Sequence, residues 1–396
     1  VESSLMDRER LRAIYRDGLL DDTLPFWIEH CVDRQDGGFL VGIDRDGSVI
    51  DTDKGVWQHG RFTWLLGELY NNLEPRQEWL ELAEHGARFI DQHCFDPADG
   101  RMWFHLTRDG RPIRKRRYAF SESFAAIAYG ELAQATGDES YAAKAARTFH
   151  TFVDHNLNPK NTPPKFTDTR PTRSLAFPMI TIVTAQQLRD SIGLAAADQW
   201  IDRSIDTIKT FHIKPDIECV METVGAAGEI LDHFDGRTLN PGHAIEGAWF
   251  IMGEGKRRGD QSLIRLGCQM LDWMWQRGWD DEFGGMLYFT DVYGKPVQEY
   301  WADMKFWWPH NETIIATLLA HQLTGDRKYA DWHAQVHDWS YQHFPDSEYG
   351  EWFGYLDRTG RVTSKLKGNL WKGAFHLPRM QLVCAQMLDS DSRSNA

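Results

Sequence analysis

Residues 132–149 read LAQATGDESYAAKAARTF, and residues 319–336 read LAHQLTGDRKYADWHAQV. Both carry T-G-D-x-x-Y-A between apolar stretches of helical spacing. Glycine readily closes a helix in the left-handed conformation, and an aspartate just after it is a strong N-cap for the next helix. The pattern predicts two antiparallel helices joined by a tight turn. A fainter copy, KRRGDQSLIRLG at 256–267, places the same turn at a third location. Recurrence over such distances marks a repeat architecture.

A second repeated stretch leads into the first helix of each pair. It is seen at 37–62 (GGFLVGIDRDGSVIDTDKGVWQHGRF), 100–124 (GRMWFHLTRDGRPIRKRRYAFSESF), 284–314 (GGMLYFTDVYGKPVQEYWADMKFWWPHNETI) and 350–376 (GEWFGYLDRTGRVTSKLKGNLWKGAFH). Each alternates aromatic and polar residues around a turn glycine, Gly47, Gly110, Gly294 or Gly360, which is the pattern of a short β-hairpin. With a shorter copy around Gly236 (HFDGRTLNPGHAIEGAW, 233–249), the glycines fall 63, 126, 58 and 66 residues apart. A unit of roughly 60 residues therefore repeats, with one hidden member centred on FTDTRPTRSLAFPMITIV (166–183).

After the hairpins Phe62, Leu65, Leu66, Leu69, Tyr70 and Leu73 share one helical face. No regular strand–helix alternation of the βαβ kind is present, which argues against a doubly wound sheet. Six units of hairpin, helix, turn and helix give about twelve helices, and their economical closure is a ring. The expected fold is all-α, an (α/α)6 barrel with short β-hairpins at its cleft end. It forms one domain over residues 1–388, followed by a disordered tail at 389–396.

The balance of 44 Lys plus Arg against 58 Asp plus Glu leaves a net charge of −14, which argues against nucleic acid and anionic membranes. The basic run RKRRY at 114–118 reads as a solvated loop, with a phosphate-bearing ligand as the alternative. Five widely spaced cysteines without a C-x-x-C read as reduced, cytoplasmic residues. No apolar run reaches membrane length, and VESSLMDRERLRAIY lacks a signal-peptide core. The 17 tryptophans suit either a carbohydrate cleft or an aromatic core.

In such a ring every inner helix begins at the same end of the barrel. Near those starts lie Trp57, Gln58 and Arg61; Ser121 and Glu122; His243 and Glu246; His310 and Glu312; Lys372 and His376. Five of the six units send ionisable groups to one mouth, a coincidence that scattered surface charge would not produce. Dinucleotide, P-loop, zincin and nucleophilic-serine signatures are all missing, and no metal site is expected. What remains are histidines, glutamates and an arginine. Imidazoles can remove and return protons on opposite faces of one carbon, and a cation can hold the resulting oxyanion.

The segments WQHGRFTWLL (57–66), GRTLNPGHAIEGAWFI (236–251), KFWWPHNETIIA (305–316), EYGEWFGYLDRTGRV (348–362) and LKGNLWKGAFHLPR (366–379) together resemble the N-acylglucosamine 2-epimerase family, which includes the mammalian renin-binding proteins. The similarity runs from LLDDTLPFW near residue 20 to HLPRM near 380. The resemblance implies interconversion of N-acetyl-D-glucosamine and N-acetyl-D-mannosamine by a cytoplasmic homodimer. ATP is implied as an allosteric nucleotide effector that is not consumed. The family's essential arginine falls on Arg61, its histidines on His243 and His376, and its essential glutamate on Glu312. WQHG before Arg61 and Asn311 beside Glu312 depart from the family pattern and bear on sugar preference.

On this reading His243 and His376 exchange the C2 proton of the ring-opened sugar, Arg61 holds the oxyanion, and Glu312 orients a histidine or a hydroxyl. Glu246, at i+3 from His243, would fix its tautomer. Trp57, Glu122, Trp308, His310 and Lys372 complete the expected substrate-binding set. Plainer roles compete: His243 as a helix cap, Arg61 as an ion-pair partner of Glu122 or Glu312, and His310 as packing beside Trp307 and Trp308. The rival functions are a mannose isomerase or cellobiose 2-epimerase, an inverting glycoside hydrolase using Glu122 and Glu312, and a non-catalytic binding protein.

Overall fold

The computed structural model describes residues 2–159 and 162–394. In chain order its helices are α1 (Glu2–Asp17), α2 (Leu24–Cys31), α3 (Val56–Asn72), α4 (Gln77–Phe89), α5 (Phe120–Thr136), α6 (Glu139–Leu157), α7 (Ala176–Ile192), α8 (Ala197–Thr207), α9 (Pro241–Arg258), α10 (Gln261–Gly278), α11 (Trp307–Thr324), α12 (Arg327–His343) and α13 (His376–Ser394). The T-G-D turns are as the sequence predicts. Gly137, Gly259 and Gly325 close their helices at φ 71°, 65° and 69°, and the following aspartates accept a backbone N–H from Ser140, Ser262 and Lys328.

Helices α3, α5, α7, α9, α11 and α13 pack in succession as the inner ring of an (α/α)6 barrel. An inner helix must be apolar on nearly every side, and α11 is buried at each position from Trp307 to Ala320. An outer helix needs only a stripe, as in α10, where Ile264, Cys268, Leu271 and Trp275 share the inward face. Helices α4, α6, α8, α10 and α12 back the first five inner helices, while α13 is backed by α1. The chain thus closes by laying its first helix on its last, fastened by an Arg12–Asp389 ion pair. Gln386 on α13 reaches the Asn72 carbonyl at 3.5 Å and completes the inner ring. The backbone of α13 continues as helix to Ser394, into the stretch read as a tail, while Asn395 and Ala396 lie outside the described residues.

Hairpins rim the end where the inner helices begin. Gly47, Gly110, Gly294 and Gly360 all have positive φ, from 69° to 87°, as turn glycines should. The copy expected at Gly236 is different: Phe234–Arg237 is a single helical turn, and Gly236 is buried against Leu231, where a Cβ would meet the Leu231 carbonyl oxygen at 2.3 Å. The hidden unit also appears here, as Thr172–Ser174 paired antiparallel with Thr223–Gly225. Neighbouring rim units are stitched edge to edge, Lys54–Gly55 onto His105–Leu106, Thr238–Leu239 onto Thr290–Asp291, and Lys305–Phe306 onto Tyr355–Leu356.

The stitches are reinforced by a repeated charge cluster. Asp33, Asp280 and Asp346 each accept from a fully buried lysine of the same unit, Lys54 (2.9 Å), Lys305 (2.9 Å) and Lys367 (3.1 Å). Each also accepts from an arginine of the next hairpin, Arg108, Arg358 and Arg45. The last pair joins the final hairpin to the first, so Arg45–Asp346, at 2.8 Å through both guanidinium nitrogens, is the ring's electrostatic clasp.

Burial works against these carboxylates, but their arginine and lysine partners hold all three well below the usual carboxylate range. Their contribution to stability is therefore complete above the unfolded value, about pH 3.9, and is lost as pH falls below it. Replacing Asp346 by Asn strips Lys367 of its bonded carboxylate, and denaturant unfolding at neutral pH should show a loss of about 3–5 kcal/mol. An Asp346→Asn protein as stable as the parent would show that the clasp does not hold the ring.

Candidate active site

A cavity of about 1290 Å³ opens at the rim end of the barrel. Trp57, Trp64, Trp249, Trp301, Trp307, Trp308 and Trp371 line it, while Trp27, Trp79, Trp273, Trp275, Trp339 and Trp352 are buried in the core, so the tryptophans are divided between cavity and core. Arg116 and Arg117 of the basic run lie along the mouth, with the Arg116 guanidinium 5.0 Å from the Phe104 ring and 5.4 Å from Trp371. Arg61, His243, Glu246, Trp308 and His376 also face the cavity, together with Trp57.

Glu312 lies one helical turn after Trp308 on α11 and is completely buried. Its Oε1 accepts from His376 Nδ1 at 2.7 Å and from Arg379 at 2.6 Å, and its Oε2 accepts from Trp249 Nε1 at 2.9 Å. Arg379, three residues after His376 on α13, also donates to Glu246 at 2.6 Å. One guanidinium thus bridges two buried carboxylates and anchors α9, α11 and α13 to one another. Glu246, Glu312 and His376 bring donor atoms within 4.8 Å, close enough for a metal ion, but Arg379 already occupies both carboxylates.

His243 stands in the first turn of α9, where Asn240 caps the helix by accepting the His243 backbone N–H at 3.1 Å. Its ring Nδ1 donates to Glu222, 3.1 and 3.2 Å from the two carboxylate oxygens. This corrects the expected partner: Glu246 faces Arg379, and Glu222, from the loop before Thr223–Gly225, holds the His243 tautomer. The two histidines therefore match, each tethered through Nδ1 by a separate glutamate with no protein partner recorded for Nε2 among the described residues. The Trp308 ring neighbours both, its centroid 5.1 Å from His243 and 5.7 Å from His376. Gly242 makes room, since a Cβ there would meet the Trp308 ring at 2.7 Å.

Their charges differ. Burial lowers His243, but the Glu222 carboxylate, with Glu246 and Glu312, more than offsets it, so its proton affinity rises above the ordinary value. His376 is pushed well below by burial and by the Arg379 and Arg61 cations. His243 thus binds a proton more readily than an ordinary imidazole, and His376 less readily. Opposed shifts of this kind separate an acid from a base.

Arg61 reaches the cavity from α3 between two rings, its guanidinium 4.3 Å from Phe124 and 4.7 Å from Phe375. It is 9% exposed, its Nε has no hydrogen-bond partner, and it makes no ion pair with Glu122 or Glu312 among the described residues. Burial pushes it down to about 9, which leaves it charged at neutral pH. Its donors remain available for a bound anion. Close packing of α3 on α5 sets its depth: a Cβ on Gly60 would strike the Phe124 backbone at 2.8 Å, the physical reason for the glycine in WQHG.

Three expected binding residues lie elsewhere. Glu122 accepts the Met102 N–H at 2.8 Å and pairs with Arg101 at 2.7 Å, which ties a hairpin to α5. His310 does the same on α11: Nε2 accepts the Met286 N–H at 2.9 Å, Nδ1 donates to the Phe306 carbonyl at 2.6 Å, and the ring stacks on Trp339. Burial holds His310 neutral, down to about 3. Lys372 is fully buried in an ion pair with Glu351 and donates to the Lys367 carbonyl at 3.0 Å. With Glu122 outside the cavity, the hydrolase reading loses one of its two carboxylates. His310→Ala would orphan the Met286 N–H, and chemical denaturation should show a loss of about 1–3 kcal/mol while activity per folded molecule is largely kept. A collapse of activity without loss of stability would restore His310 to the site.

An (α/α)6 barrel that opens an aromatic cavity onto two carboxylate-tethered imidazoles and an unpaired guanidinium has the build of a carbohydrate isomerase. The family model of N-acylglucosamine 2-epimerase matches residues 37–377. The N-acylglucosamine 2-epimerase of Bos taurus is 36% identical over 399 residues, covering 97% of this chain and 93% of that protein. A cellobiose 2-epimerase of Bacteroides fragilis is 23% identical, covering 96% of this chain and 99% of that one. The solved cellobiose 2-epimerase of Bacillus thermoamylovorans superposes with a TM-score of 0.84 at 18% identity, over 96% of this chain and 99% of that one. The chain belongs to the N-acylglucosamine 2-epimerase family and is an isomerase of the epimerase kind.

Proposed function

We propose that the protein interconverts N-acetyl-D-glucosamine and N-acetyl-D-mannosamine by moving the proton on C2 of the ring-opened sugar. The observation that carries this reading is the pair of imidazoles with free Nε2 atoms, each tethered by its own glutamate and both beside Trp308. In the open-chain aldose the C1 carbonyl makes the C2–H acidic. A histidine takes that proton, the C–H electron pair forms a C1=C2 bond as the carbonyl pair moves to O1, giving a 2-acetamido enolate, and Arg61 stabilises the charge on O1. The other histidine delivers a proton to the opposite face of C2. Glu312 orients His376, Arg379 keeps Glu312 and Glu246 in place, and Trp57 and Trp308 cover the apolar faces of the sugar. No redox cofactor enters, because no net electron is gained or lost.

We further propose a nucleotide effector that is not consumed, with Arg116 and Arg117 supplying cationic character at the mouth, and a homodimer that works in a reducing cytoplasm, consistent with five buried, unpaired cysteines. The proposal is tested by supplying N-acetyl-D-mannosamine, D-mannose and cellobiose separately and following each by proton NMR, with and without ATP and a non-hydrolysable analogue. Conversion of the N-acetyl sugar alone is the expected result. Turnover of mannose or cellobiose instead would move the function to a sister activity on the same barrel.

A further inference from the structure

The two histidine–glutamate pairs are not equivalent. Glu312 is shared: its oxygens also receive Arg379 and Trp249, so much of its charge is spent before it meets His376. Glu222 is not shared: both of its oxygens lie on His243 Nδ1, and His243 is its side-chain hydrogen-bond partner among the described residues. Its backbone is fixed as well, since its carbonyl accepts the Leu175 N–H at 2.9 Å at the entry to α7 and the next residues, Thr223–Gly225, are paired with Thr172–Ser174. A carboxylate so placed and otherwise unspent acts on one imidazole alone.

Resting on the epimerase reading above, we propose that Glu222 is the positioning residue that keeps the proton on His243 and points its Nε2–H at the sugar, leaving His376 to receive the proton leaving C2. The step balances. In the direction from N-acetyl-D-mannosamine the C2–H bond breaks, the proton passes to His376 Nε2, the C–H electron pair forms the C1=C2 bond and the C1=O π pair moves to O1, to return and re-form the carbonyl when C2 is reprotonated. His243 then gives its Nε2 proton to the other face of C2 and becomes neutral. One proton returns from His376 to His243 through solvent before the next turnover.

The groups that bear on the His243 proton can be named. Glu222 is closest, and Glu246 and Glu312 add to it from α9 and α11. His212 and Lys165 act electrostatically on Glu222, and His243 and His376 act on one another. Glu222→Gln preserves shape and removes only the charge that these groups do not replace.

The test uses full-length protein labelled with ¹⁵N-histidine, with the His243 resonance identified by its loss in His243→Gln. In the parent, His243 should remain protonated with Nδ1–H engaged through neutral pH. In Glu222→Gln its titration midpoint should fall by about one pH unit or more, the scale of one adjacent opposite charge. The alkaline limb of the kcat/KM profile should move down with it while KM changes little, and Glu222→Asp should restore part of the shift. An unchanged His243 titration and an unchanged pH profile in Glu222→Gln would overturn the proposal. If that variant does not fold, the parent decides alone: His243 titrating below its ordinary value would refute the role. The titration needs no turnover, so it separates failure of this proposal from failure of the substrate assignment.

Discussion

His376→Ala should lower kcat/KM for N-acetyl-D-mannosamine by about 10³–10⁴-fold, near the top of the range for loss of a positioned acid–base group. It should also abolish exchange of the C2 proton with solvent, because His376 is the imidazole that burial, Arg379 and Arg61 keep free of a proton. Its ring stands 8% exposed, and the Nδ1 that meets Glu312 is fixed. Removal leaves Glu312 still held by Arg379 and Trp249, so the barrel should stay folded and circular dichroism should change little. His243→Ala should cost a similar factor by a different route, since the proton can leave C2 but is not returned from the opposite face. Slow solvent exchange without epimerisation is the expected signature of that variant, measured by NMR in D2O. Both variants keeping more than a tenth of the parent's activity would remove the pair from the mechanism.

Arg61→Ala should lower kcat by about 10²–10³-fold, the usual scale for losing one donor to a developing oxyanion. Arg61→Lys should recover only part of this, because the slot between Phe124 and Phe375 fits a planar guanidinium rather than a point charge. Steady-state kinetics separate the two explanations for a loss. A fall in kcat with KM nearly constant means the charge acts in the transition state, whereas a rise in KM alone would make Arg61 a substrate clamp. Any loss of stability should be limited to the packing of the guanidinium between Phe124 and Phe375, since Arg61 makes no ion pair among the described residues. A more stable Arg61→Ala would fit a cation held in place for chemistry rather than for folding.

The ring was legible because its turns repeat. Gly137 and Asp138, with their copies at 259–260 and 325–326, mark helix ends by conformation and capping, which are local properties. The closure by α1 on α13 was not legible, because it joins residues nearly a full chain apart. Nor was the helical turn at Phe234–Arg237, where a glycine in a turn-like context is needed for packing space instead.

The site divides in the same way. An ionisable residue near an inner-helix start can face either the cavity or the rim, and position alone does not say which. His59, Glu122 and His310 occupy matching places, and each accepts a hairpin N–H, from Phe39, Met102 and Met286. Two residues later, about 200° around the helix, stand Arg61, Phe124 and Glu312, which face the barrel interior. That register separates Glu122 and His310, which bond to hairpins, from Arg61, which reaches the cavity, and Glu312, which bonds His376. Arg379 had a readable signal, its i+3 spacing from His376. Glu222 had none, since it reaches His243 from a loop 21 residues upstream in a unit with little repeat character.

In the proposed reaction one carbon loses and regains a proton between His243 and His376. It is tested most directly by incubating the parent protein with N-acetyl-D-mannosamine in D2O and reading the product by proton NMR. N-acetyl-D-glucosamine that carries deuterium at C2, with none at C1 or C3, is the result expected here. Product that retains the original hydrogen at C2 would contradict solvent-exchanging histidines and require the proton to be carried across the sugar without leaving the site.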